Sequence, residues 1–94
     1  MNKKINEWNT HIAKKLAIQE NIILTTEHLE IIYIFKQLYN KFHTLPNMVI
    51  LVNVIKNKYG ILKGNSIYIH KLFPNGAIRQ IAYISGLKEI TVCL

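Results

Sequence analysis

In the stretch "NIILTTEHLEIIYIFKQLYNKF", Ile31, Ile32, Phe35, Leu38, Tyr39 and Phe42 recur at the three-and-four spacing of one helical face, and Leu29, Tyr33 and Ile34 widen the stripe. A helix with so broad an apolar face has to be covered on several sides. It is therefore expected to be the central, most buried helix, and the rest of the chain has to supply the elements that cover it. Thr25 stands where a cap belongs, and Glu27 lies in the first turn, where a negative charge meets the positive end of the helix dipole.

The flanking segments supply more helices. Ile5, Trp8, Ile12, Leu16 and Gln19, with lysines on the opposite side, predict a helix over residues 5–19. Pro46 suits the first turn of a third helix, with Met48, Leu51, Val52, Ile55 and Tyr59 inward and Gly60 as its end. Its "MVILVNVI" is the one ambiguous segment, because β-branched residues also favour strands. A short fourth helix, capped by Asn65 or Ser66, turns Tyr68, Leu72 and Phe73 inward and stops at Pro74-Asn75-Gly76. "AIRQIAYIS" is a fifth, with Gly86 at a left-handed cap and Leu87 packing back on its last turn. The expected fold is all-α, a compact bundle of about five short helices over residues 1–87. A C-terminal arm, residues 88–94, follows where the periodicity stops.

At 94 residues and 50% hydrophobic content, one core is both affordable and the limit. No apolar run approaches the ~20 residues that span a bilayer, and the start lacks the apolar stretch of a signal peptide, so the chain reads as cytoplasmic. The net charge of +7 points to acidic partners. All of the 12 basic residues except Arg79 are lysines, dispersed along the chain, whereas bidentate base readers are mostly arginine. Direct nucleic-acid binding is accordingly not favoured. The alternative retained is a helix-turn-helix module formed by the third and fourth helices, with Ser66, His70 and Lys71 facing a groove.

Other chemistries are poorly supplied. His11, His28, His43 and His70 share no metal-ligand spacing, the four glycines are isolated, and no cofactor is expected. Glu27, His28 and Glu30 stand at a helix start, where capping and dipole roles take precedence over acid–base chemistry. Cys93, the single cysteine, has no pairing partner in the chain. A thiol near a chain end is suited to reaching into another protein's active site, attacking a persulfide there and carrying the sulfur away.

Together, "LTTEHLEIIYIFKQLYNKF", "GNSIYIHKLFPNGAIRQIAYISGL" and the terminal "VCL" resemble the TusE/DsrC family of sulfur carriers over nearly the whole chain from Trp8 onward. The resemblance implies a mostly helical fold and an arm whose cysteine, here Cys93, is the nucleophile and persulfide carrier. DsrC-type members usually carry a second cysteine where this chain has Ala82, so the TusE branch is the better match. That branch implies sulfurtransferase activity in tRNA processing: sulfur is accepted from a TusBCD-like donor complex and passed to an MnmA-like thiouridylase for 2-thiouridine synthesis at the wobble position. Gly86 and Leu87 are the expected hinge of the arm. Arg79 and Lys88 are candidate contacts for an anionic persulfide or an acidic partner. Only seven residues precede Trp8, so the family's N-terminal β-hairpin is expected to be absent. The arm also lacks the family's prolines after Gly86-Leu87, and Val49 and Ile67 stand where basic residues are common.

Overall fold

The computed structural model describes residues 8–87. It contains α1 (Thr10–Gln19), α2 (Thr26–Phe42), α3 (Met48–Tyr59), α4 (Ser66–Leu72) and α5 (Ala77–Ile84), and the described residues form no strand. The ambiguous "MVILVNVI" is helical, because Leu51 and Ile55, one turn apart, are both fully buried on the inner side of α3.

Side-chain caps set four of the five helix starts. Asn9, Asn47 and Asn65 each accept a hydrogen bond from the backbone N–H three residues on, and Thr25 does so for α2. At α2 the cap is reciprocal. His28 Nδ1 accepts from the Thr25 N–H at 3.1 Å and from the Thr25 hydroxyl at 2.7 Å. His28 Nε2 must then carry the ring proton, and it donates to the Leu72 carbonyl oxygen at 2.9 Å. A neutral, buried histidine therefore joins the start of α2 to the end of α4.

Several expectations shift at the caps. The first helix begins at Thr10, because Asn9 caps it and leaves Trp8 outside the helix; Ile5 lies outside the described residues. Pro46 is buried but precedes the α3 cap, since Asn47 takes that role. Tyr59 and Phe42, both expected inward, are exposed at the ends of their helices. In α4 the fully buried residues at its end are Ile69 and Phe73, while Tyr68 and Leu72 are half-buried.

The largest revision concerns the centre. Ile31, Ile32, Ile34 and Phe35 of α2 are buried as the stripe predicts, but the short α5 packs on α1, α2 and α4. Small residues permit this. Ala13 and Ala17 of α1 and Ala77 and Ala82 of α5 are at most 3% exposed, and alanines let helix backbones approach closely. α3 packs mainly on α2 and α4 on α5, so the two helices of the alternative helix-turn-helix reading find their chief partners elsewhere.

Candidate functional site

The expected nucleophile, Cys93, and Lys88 lie outside the described residues, and the site visible here is built around Gly86 and Leu87, the last two described residues. An α-helix leaves its last four carbonyls without helical partners. At the end of α5 all four are satisfied. The Leu87 N–H reaches the Ala82 carbonyl at 3.2 Å and the Gly86 N–H reaches that of Tyr83 at 3.0 Å, the paired bonds of a Schellman cap. Trp8 Nε1 donates to the Ile84 carbonyl at 2.7 Å, and Lys36 Nζ donates to that of Ser85 at 3.1 Å.

Gly86 is required at this cap for two reasons. Its φ of +78° is left-handed, and a Cβ placed there would lie 2.8 Å from Trp8 Cδ1. The indole thus rests directly on the glycine backbone. Lys36 Nζ sits 4.1 Å from the centre of the same indole ring, and the Tyr33 ring stands perpendicular to the indole with the ring centres 6.0 Å apart. Burial pushes the Lys36 ammonium below the usual lysine range, yet the ring and the Ser85 carbonyl both favour its charged form. This constellation fixes the direction of the chain at residue 87.

Arg79 stands apart, in a different network. Its guanidinium forks onto Glu20, with Nη2–Oε1 at 2.8 Å and Nη1–Oε2 at 3.3 Å, and it also donates to the Asn75 carbonyl. The fully buried Gln80 donates to the same Glu20 oxygen at 3.0 Å and accepts from the Asn75 N–H at 3.0 Å. Arg79, helped by Gln80, holds the Glu20 carboxyl below the usual carboxylate range. The network ties the end of α1 to the start of α5.

The structure therefore brings Gly86 and Leu87 together and keeps Arg79 paired elsewhere. Glu27, His28 and Glu30 do not converge, since His28 is turned to Thr25 and Leu72 while Glu30 bonds Lys63 at 2.8 Å. Ser66, His70 and Lys71 are exposed on α4. No group of three or more metal-ligating side chains occurs among the described residues. Sequence reasoning missed Lys36 and misassigned Trp8 to a helical stripe. The available signal for Lys36 was its position as a lone cation inside the apolar run of α2, between Phe35 and Leu38.

Comparison with known proteins gives a consistent result. The family model described as "DsrC like protein" matches residues 2–94. The chain is 41% identical over 92 residues to sulfurtransferase TusE of Photorhabdus laumondii subsp. laumondii, covering 98% of this chain and 83% of that protein. It is 38% identical, over 98% of this chain and 81% of the relative, to sulfurtransferase TusE of Buchnera aphidicola subsp. Schizaphis graminum. Among solved structures, the NMR structure of Allochromatium vinosum DsrC superposes with a TM-score of 0.77 at 34% identity, covering 90% of this chain and 76% of that chain.

Proposed function

The chain belongs to the DsrC-like protein family, and from that premise we propose that it is a sulfurtransferase carrying sulfur as a persulfide on Cys93. The observation that carries this reading is its likeness, over nearly its whole length, to proteins named sulfurtransferase TusE, in a chain whose sequence contains a single thiol. In this reading residues 1–87 are the helical body and residues 88–94 the arm, with Gly86 and Leu87 as its hinge.

The chemistry is a thiol exchange. The Cys93 thiolate attacks the outer sulfur of a donor persulfide, a new S–S bond forms on Cys93, the donor's S–S bond breaks and the donor leaves as a thiolate. Electrons balance without an external oxidant. A TusBCD-like complex is the donor and an MnmA-like tRNA thiouridylase the acceptor, both in the cytoplasm. No helix among the described residues is long and apolar enough to cross a membrane. Lys88 and Arg79 are the cations offered to the persulfide or to an acidic partner surface, Arg79 from within its pair with Glu20. The Trp8–Lys36 cap gives the arm a fixed point of departure.

The test is to incubate the full chain with a persulfide-generating cysteine desulfurase and the relay proteins, then map added sulfur by peptide mass spectrometry. One extra sulfur atom on the peptide holding Cys93, and loss of tRNA thiolation with Cys93→Ser, are expected. Thiolation that persists with Cys93→Ser would overturn the proposal.

A further inference from the structure

A groove of about 480 Å³ runs between α3 and the turn that precedes α4; Met48, Val49, Val52, Lys56, Ile61 and Asn65 are among the residues that line it. Its lips are apolar and open to solvent. Val49 and Ile61 are each 68% exposed, and Ile67, one residue beyond the lining Ser66, is 69% exposed. Single exposed aliphatic side chains are ordinary, but several gathered round one concave surface mark a contact site.

The walls are built in advance. Gly64 lets the turn press against α3 so closely that a Cβ there would lie 2.3 Å from Lys56 Cα. Asn65 locks the same turn, because its amide donates to the Ile61 and Leu62 carbonyls at 3.0 Å each while its Oδ1 caps the Tyr68 N–H at 2.8 Å. A groove with rigid walls loses little conformational freedom on binding.

Charge selects the occupant. Between Ile31 and Leu87 the sequence carries six lysines and Arg79 and not one carboxylate. Lys56 lines the groove and enters no ion pair among the described residues, and the nearby Glu30 is already taken by Lys63. A second copy of the chain would bring the same positive field. Nucleic acid would meet valine and isoleucine where phosphate contacts need donors. We propose that this groove docks an acidic amphipathic helix of a protein partner, whose leucine-type side chains enter between Val49 and Ile61 while its carboxylates face Lys56 and the net positive charge of the chain. Docking here does not use Cys93, so the proposal stands or falls independently of sulfur transfer.

The probe is a synthetic helical peptide of leucine and glutamate with leucines at one-face spacing. It is compared with the same peptide carrying lysine for every glutamate, with a DNA duplex and with a tRNA, each titrated into the full-length ¹⁵N-labelled chain. The acidic peptide is expected to shift the amide resonances of Val49, Asn53, Ile61 and Ser66, and to bind more weakly as salt rises. Val49→Glu and Ile67→Glu, both at exposed positions and so expected to leave the helical spectrum intact, should each weaken it by roughly tenfold or more. Any of four results would overturn the proposal: no binding by the acidic peptide, equal binding by its lysine counterpart, tighter occupation of the groove by either nucleic acid, or dimerisation of the free chain through these residues.

Discussion

Trp8 donates its indole N–H to the carbonyl oxygen of Ile84 at 2.7 Å, so the first described residue closes the end of the last helix across 76 positions of sequence. With Lys36 on the same ring, this contact turns the end of α5 into a fixed platform. Lys36→Met keeps much of the aliphatic packing but leaves the Ser85 carbonyl without its donor. It is expected to cost about 1 kcal/mol in urea unfolding. Trp8 is the single tryptophan, so the loss of its cation should also shift its fluorescence emission in the folded protein. An unchanged emission spectrum would contradict the contact.

Gly86→Ala meets two obstacles at once, a left-handed φ and the Trp8 ring 2.8 Å from the new carbon. The expected loss is about 1–3 kcal/mol, read as a lower urea midpoint with an unchanged slope. In the double variant Gly86→Ala with Trp8→Ala the steric share should disappear while the backbone share remains. A double-mutant cycle therefore separates the two, and strict additivity would argue against the indole resting on Gly86.

His28 supplies a pH dependence with a definite sign. Burial holds its folded-state pKa below the ordinary 6.5, outweighing the Leu72 carbonyl and the charge of Glu27, which act the other way. Thr25 and the Phe73 ring, which stands perpendicular to the imidazole, also contact it. The unfolded chain thus binds the proton more readily than the folded one. The stabilisation is complete above about pH 6.5 and is lost as pH falls toward the depressed folded value. Urea unfolding between about pH 7 and pH 5 should show this decline, and His28→Gln should flatten it. An equally steep decline in the variant would assign the effect to another group.

Glu20→Ala removes the acceptor that Gln80 and Arg79 share. The Arg79–Glu20 pair is partly open to water and is worth little alone, about 0–1 kcal/mol. The larger expected loss, about 1–3 kcal/mol, comes from leaving the buried Gln80 amide without its acceptor. Gln80→Leu should therefore recover part of the stability lost in Glu20→Ala. Thermal melts of the two single variants and the double variant test this.

The helices were legible because their signals are local. Thr25, Asn65 and Gly86 each act on backbone groups within a few positions, and the apolar stripe of α2 reports its buried face directly. Where two local signals compete, the sequence alone does not rank them. Pro46 is a good first-turn residue, but the neighbouring Asn47 can hydrogen-bond the Ile50 N–H and takes the cap. Asn9 likewise caps the start of α1 and leaves Trp8 outside the helix.

The sequence by itself determined the helical class, most cap positions and the turn at Gly86-Leu87, because each depends on residues only a few positions apart. Only the tertiary structure decided that α5 is the hub, that Trp8 and Lys36 close its end and that Glu20 occupies Arg79. Those contacts join residues 49 to 76 positions apart. Periodicity reports which face of a helix is buried, but the identity of the partner on that face depends on how the whole chain packs.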